Sequence, residues 1–506
     1  MSTGILTRIL KVLAALLTSN VVNLATRLLL PPIFLYRYGT TLYGEWIVLS
    51  GAVAYLSTLN FGIQTYVTQD LTVRYQRRDL ERYHLQQSTA LRILLGILGT
   101  ASVLALLLFG LPAKHLLRLT IPQSTAVLTL YLLALQVLLS VLFKHFTGMY
   151  TVLSRAHTGV LWVNGQRLAM VILTSFGAWM RWSFPTLAAL QLGIYIVGTL
   201  LILLHVRRVA PEIFPHVRLW DRNAARGILR PSGYFGLISM STFLSYEIPV
   251  LLLQREIGPF VVVAFTVMRT IFSMCRQVLN APTQALAPEI TRLFGREEWD
   301  ALARVYSYSE RLIFALIAPV NLGVLMISPV LLVLWLHRPQ LFSVLPYVLM
   351  ATISMTLSVK EHKFQFQFAT NTHESLARIM FFSYVALVGI AIPMIHWLGM
   401  IGFLLAWLTV EMFQVLRILR LNQDLFAHTG EHTLKYVYRL AGISIVGLIV
   451  SGILLRQTFT TSYWMQLAVS VGISFAVGGV AFALFDMRPL ARQLFAKLGR
   501  RFGLAE

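Results

Sequence analysis

Cysteine and acid are what this 506-residue sequence is short of. A single cysteine, Cys275, excludes a disulfide framework and a Cys/His zinc pattern. Twenty Asp and Glu stand against 42 Lys and Arg, and charged residues make up 12% of the chain, roughly half their share in soluble globular proteins. A soluble chain of this length would form several domains with polar surfaces, and too few polar residues are present to cover them. No Ser/His/Asp set, His-x-x-Glu-His pattern, phosphate-binding glycine loop or dinucleotide fingerprint occurs. The expectation is a protein that is not an enzyme, with no catalytic residues, no metal site and no cofactor.

What is abundant is apolar. Hydrophobic residues form 57% of the chain and the mean hydropathy is +0.71, which fits an integral membrane protein. The net charge of +22 would suit a nucleic-acid binder, but the cations sit in short segments between apolar runs, as in cytoplasmic loops. No nucleic-acid partner is expected. The N-terminal MSTGILTRILKVLAALL has a basic start and no small-residue cleavage site before the next apolar run, so it reads as a retained first span.

A crossing helix needs roughly 20 mainly apolar residues. That ruler predicts an all-α protein with fourteen spans, near 14–36, 43–68, 89–110, 124–143, 160–180, 184–204, 232–253, 259–281, 311–336, 344–363, 377–397, 399–421, 437–456 and 463–485. With the N-terminus inside, thirty of the 42 Lys and Arg fall to cytoplasmic segments, seven to outer loops and five within spans, which places both termini in the cytoplasm. The outer loops are short and leave no platform for a membrane glycan polymerase or ligase.

The loop DLTVRYQRRDLERY (70–83) aligns with EITRLFGREEWDAL (289–302) at a constant offset of 219, and the same offset pairs Gly39 with Gly258. This spacing implies a duplication: two pseudo-symmetric six-helix lobes, 1–204 and 232–421, joined by a cytoplasmic connector, 205–231. An extra helix pair, 422–485, and a basic amphipathic tail, 486–506, suited to anionic lipid, complete the organisation. Repeats of this kind commonly frame a substrate path.

Ionisable groups inside the membrane are costly and mark function by default. Asn20, Asn23 and Arg27 share one face of span 1, and Arg269, Ser273, Arg276, Gln277 and Asn280 form a stripe on span 8. Span 5 carries Arg167, and span 2 carries Asn60 and Gln64. Arginine stays protonated and matches phosphate oxygens bidentately, so Arg27, Arg167, Arg269, Arg276, Asn23, Asn60, Gln64, Gln277 and Asn280 are the candidate lining of a pyrophosphate-holding cavity. The competing reading gives each arginine an embedded carboxylate, or lets it reach the interface, as expected for Arg92. Glu247, just before Pro249, and Glu411 are candidates for coupling to H+ or Na+; Glu45, near an interface, asks for no special role.

Residues 27–83 also carry a resemblance. Arg27 before Pro31-Pro32, Gly39, Leu42-Tyr43-Gly44, Asn60-Phe61-Gly62 and Asp70-Leu71 ahead of an Arg-rich loop resemble the start of bacterial polysaccharide (O-antigen and exopolysaccharide) flippases of the multidrug/oligosaccharidyl-lipid/polysaccharide exporter superfamily. The resemblance implies an inner-membrane flippase that carries an undecaprenyl-pyrophosphate-linked oligosaccharide to the outer leaflet by alternating access. Membrane lipids and polysaccharide polymerase or assembly proteins are the implied partners. The rival within the superfamily is a cation-coupled exporter of drugs or small amphiphiles.

Overall fold

The computed structural model describes residues 3–60, 63–153, 155–295, 297–370, 374–427, 434–458 and 463–487, some of them, chiefly near the N-terminus, by backbone only. The expected amphipathic tail, apart from Asp486 and Met487, lies outside these residues. The fold is 91% helical, with no strand among the described residues.

Cα packing divides the chain into two compact units, Met1–Val263 and Ala264–Glu506. The first contains α1 (Thr3–Ala54), α2 (Ile63–Gln76), α3 (Leu80–Leu104), the short α4 (Ala113–Leu116), α5 (Gln123–Val152), α6 (Ala156–Trp179), α7 (Phe184–Val209), α8 (Arg222–Tyr246) and α9 (Ile248–Glu256), with the first turn of α10 (Pro259–Gly295). The second contains the rest of α10, then α11 (Trp299–Leu331), α12 (Val344–Ala369), α13 (Glu374–Leu425), α14 (Leu434–Thr458) and α15 (Tyr463–Leu484). The expected second lobe starts at 232, whereas α8 and α9 pack with the first unit, on α1, α2 and α3.

Among the described residues nine helices are long and apolar enough to cross a membrane. Helices and expected spans do not correspond one to one. The 52-residue α13 holds two expected spans on either side of Gly399, and α1 bends at Gly39 between another two. The positive φ at these glycines, 60° and 78°, is a conformation that a Cβ disfavours.

The backbone repeats more clearly than the sequence does. Left-handed residues recur in pairs: Gly39 with Gly258, Arg78 (φ 58°) with Glu297 (φ 57°), and Arg118 (φ 48°) with His337 (φ 55°), all at the offset of 219. Arg181 (φ 56°) pairs with Gly399 one residue out of step. Asp79 and Glu298, again 219 apart, open α3 and α11 with nearly equal angles (φ/ψ −87°/71° and −79°/64°). Helices commonly end on a left-handed residue, so helix ends keep the repeat where side chains have diverged.

In the first unit α5 packs on α7 and α1 on α6. Gly44 touches the start of α10 so closely that a Cβ there would lie 2.6 Å from the Pro259 carbonyl oxygen. Glu45 is fully buried, and its carboxylate accepts from the backbone N–H groups of Thr120 (2.5 Å) and Ile121 (3.4 Å). It therefore does have a special role, anchoring α1 to the loop before α5.

The connector after α7 lies along α3. Gln87 donates to the Ile213 carbonyl (3.1 Å), Ser88 exchanges hydrogen bonds with both backbone groups of Leu219 (2.8 and 2.9 Å), and Asp221 N–H donates to Thr89 (3.3 Å). Arg92, expected to reach for the interface, donates instead to the carbonyls of Val217 and Arg218. Free backbone carbonyls of a loop are strong acceptors for a cation. In the second unit α11 packs on α15 and α12 on α13.

Gly44→Leu is expected to overpack the α1–α10 contact and cost about 1–3 kcal/mol, read as a lowered Tm of the purified protein. An unchanged Tm would show that this approach is not tight.

Candidate functional site

The polar interior of the second unit is organised by one helical turn, Lys360-Glu361-His362-Lys363 of α12. Successive residues of a helix point in different directions, so this turn addresses three neighbouring helices at one level. The surrounding sequence, with Ser354, Ser358 and Phe366 fully buried, makes it a core helix on most sides.

Toward α13, the Lys360 ammonium pairs with Glu411, donates to the Tyr384 hydroxyl (2.8 Å) and donates to Gln414 Oε1 (3.0 Å). The other Glu411 oxygen accepts from Tyr384 (2.7 Å) and from the Trp407 indole N–H (3.0 Å), and Gln414 donates onward to Ser383 (2.6 Å). Glu411 and Gln414 are fully buried.

Toward α11, Lys363 pairs with Glu310, donates to the Tyr306 hydroxyl (2.6 Å) and lies 4.2 Å from the Tyr306 ring centroid. His362 Nε2 and Ser309 Oγ are 2.9 Å apart. Toward α10, Glu361 faces Arg276 (3.4 Å) and accepts from the Asn280 amide. One turn further along, Gln367 donates to the Leu421 carbonyl (3.1 Å) and Asn422 to the Lys363 carbonyl (3.3 Å), closing α12 on α13.

The sequence-selected residues fall around this frame as follows. Arg276 is buried beside Glu361, Asn280 shares that carboxylate, and Gln277 is exposed on the same helix. Arg269 is half-buried, its guanidinium 5.2 Å from the Phe265 ring centroid. Glu411 holds Lys360. The structure thus joins Arg276 and Asn280 through Glu361, a residue that sequence reasoning passed over, together with Glu310, Lys360 and Lys363. The signal of Lys360, Glu361 and Lys363 was a charge run at the end of an expected span, 344–363, which reads as an interfacial edge, and Glu310 fell just before another, 311–336; the helix of the charge run continues to Ala369.

In the first unit Gln64 donates to the Val141 carbonyl (3.1 Å), fixing α2 to α5. Glu247 sits at the break between α8 and α9, one residue before Ile248-Pro249, and a Cβ on Gly51 would lie 3.0 Å from its Oε2. Asn20, Asn23, Arg27 and Asn60 have side chains outside the described residues.

Arg167, half-buried on α6, lies within electrostatic reach of Lys144 on α5 and of Tyr195 on α7. Lys144 is solvent-exposed on α5. None of α5, α6 and α7 contains an Asp or Glu, and among the described residues no carboxylate forms an ion pair with Lys144. Two cations within electrostatic reach of one another raise the local affinity for anions. Lys144 lies one residue past an expected span and so was counted with a loop.

No family profile and no curated protein matches the sequence. Solved structures do. A structure described as "Lipid II flippase MurJ, inward closed conformation" is similar at a TM-score of 0.69 and 11% identity, over 94% of this chain and 99% of that one. An inward-facing multidrug resistance MATE family transporter of the MOP superfamily is similar at 0.63 and 14%, over 81% and 100%. A MOP superfamily transporter from Pyrococcus furiosus, titled for the reversed polarity of its binding pocket, is similar at 0.56 and 15%, over 83% and 94%. At such identities the likeness shows the fold: this chain has the multi-pass, all-helical fold of these membrane transporters.

Breaking one partner of a buried ion pair strands the other and costs about 3–5 kcal/mol, while replacing both by apolar residues is often neutral. Glu310→Gln and Lys363→Met are each expected to lower Tm sharply, and the double replacement Glu310→Leu with Lys363→Met to recover most of the loss. Additive losses would contradict a dry pair.

Proposed function

We propose that this protein is a flippase that moves an oligosaccharide unit carried on undecaprenyl pyrophosphate from the cytoplasmic to the outer leaflet of the plasma membrane, by alternating access, for cell-surface polysaccharide synthesis. The observation that carries the reading is the placement of two cations, Lys144 on α5 and Arg167 on α6, within electrostatic reach of one another. A pyrophosphate headgroup carries the negative charge that two such cations attract, and lysine and guanidinium are its usual ligands. The glycan, rich in hydroxyls, suits a wet path, while the prenyl tail stays in lipid.

The fold supports the same class of cargo. A structure named for flipping lipid II shares it over 94% of this chain, and lipid II flipping is likewise the transfer of a lipid-linked headgroup. In this account Arg269 and Gln277, on the solvent-reached side of α10, are further candidates for the headgroup and glycan, as are Arg27, Asn23 and Asn60.

A second reading, export of drugs or small amphiphiles coupled to H+ or Na+, is favoured by the fold shared with a MATE transporter. It places the burden on Glu247 and Glu411 and little on Lys144 and Arg167.

The test is reconstitution of the full chain into liposomes with fluorescent undecaprenyl-pyrophosphate-linked oligosaccharide. Lys144→Gln and Arg167→Gln are each expected to slow flipping by about tenfold or more, the scale of one hydrogen bond to a charged group, with Lys144→Arg retaining most activity. Absence of flipping by the wild type, together with proton- or sodium-driven efflux of a cationic dye that needs Glu247, would overturn the proposal in favour of the second reading.

A further inference from the structure

The surroundings of Lys360 have the composition of a site for a monovalent cation. Its ammonium is held by three oxygens of three chemical kinds, the Glu411 carboxylate, the Tyr384 hydroxyl at 2.8 Å and the Gln414 amide oxygen at 3.0 Å. Two of these are fixed from behind, Glu411 by the Trp407 indole and Gln414 by its own donation to Ser383, and the Tyr384 hydroxyl donates to Glu411. Glu411 and Gln414 have no exposed surface. Carboxylate, hydroxyl and carbonyl oxygens are the donors with which proteins replace the hydration shell of hard cations, and an ammonium group is close to a potassium ion in size and charge.

We infer that the Glu411–Tyr384–Gln414 cluster is a monovalent-cation cage whose resident cation is supplied by the protein itself, as the tethered ammonium of Lys360. The cage binds α13 to α12 without drawing an ion from solution. In consequence the second unit holds this arrangement whether the medium contains Na+, K+ or neither.

The Lys363 site differs in a way that supports the distinction. There the ammonium faces one carboxylate and one hydroxyl between two rings, Tyr306 and Phe314, at 4.2 and 5.1 Å, whereas the Lys360 ammonium has three oxygens and a single ring, Tyr384, at 5.2 Å. Two aromatic faces suit a fixed alkylammonium, whereas three oxygens suit an exchangeable metal ion. Removal of the Lys360 ammonium therefore leaves a vacancy that a small cation fills, and removal of Lys363 does not.

The experiment is thermal unfolding of the purified full-length protein in NaCl, KCl and choline chloride at equal ionic strength. The wild type is expected to show one Tm in all three salts. Lys360→Ala is expected to unfold at a lower temperature in choline and to shift upward, saturably, as Na+ or K+ is added, because a ligand that binds only the folded state stabilises it by mass action. Lys363→Ala is expected to show no such response, and adding Glu411→Gln to Lys360→Ala is expected to abolish it. Should Lys360→Ala fail to fold in choline, its recovery on purification in Na+ or K+ supports the cage, and the larger Lys360→Met, which fills the vacancy, should then fold without any ion response. A Lys360→Ala protein that is equally unstable in all three salts, or a wild type that itself needs Na+ or K+, would overturn the inference.

Discussion

A charge inside a low-dielectric medium must be answered by an opposite charge or by oriented dipoles. The second unit meets this constraint on α12, where Lys360, Glu361 and Lys363 find Glu411, Arg276 and Glu310 on three different helices. Acids are scarce in this chain, and Glu310, Glu361 and Glu411 in the second unit are each paired with a cation. Each pair is completed by neutral donors and acceptors (Tyr306, Tyr384, Trp407, Gln414 and Asn280), so the charges fix which helices meet at which level. The contribution is to specificity of packing more than to net stability, since apolar substitutes for a buried pair are often as stable.

The first unit solves the same problem differently. Glu45 receives two N–H groups of the loop before α5, Asp70 pairs with Arg74 on its own helix, and Glu247 sits at the α8–α9 break beside Gly51 of α1. Lys144, exposed on α5, and Arg167, half-buried on α6, lie within electrostatic reach of one another. Two halves that share a backbone repeat thus differ inside: α12 of the second sets its lysines against acids of neighbouring helices, and α5 and α6 of the first bring Lys144 and Arg167 within electrostatic reach of one another. In the proposed function these two cations attract the anionic headgroup of the cargo.

The helical class was legible because hydropathy reports it directly, and the duplication because Gly39 and Gly258, and the Arg-rich loops after them, keep helix-end chemistry in register. Helix ends constrain the backbone locally, so their signal survives divergence. The interior ion pairs were not legible. Pairing depends on which faces of α10, α11, α12 and α13 meet, and nothing in the spacing of Glu310, Lys360 and Glu411 states that. Lys360 and Lys363 fell at the end of a 20-residue window, where a lysine reads as interfacial, and Lys144 fell just beyond one. Arg92 carried the same ambiguity: a long cation near a helix end serves headgroups or a loop equally well, and only the connector's path along α3 decides. For Arg276 the sequence set a ligand role beside a structural one, and the structure adds the partner, Glu361, without which the two could not be weighed.

The claim on which the account turns is that the lysines of the two units are in opposite electrostatic states. It is tested most directly by amine-modification mass spectrometry on the native, purified protein, with and without inorganic pyrophosphate. The account predicts that Lys144 is modified readily and protected by pyrophosphate, while Lys360 and Lys363 stay unmodified in both conditions until the protein is unfolded. Rapid modification of Lys360 or Lys363 in the folded protein, or a Lys144 whose reactivity ignores pyrophosphate, would contradict it.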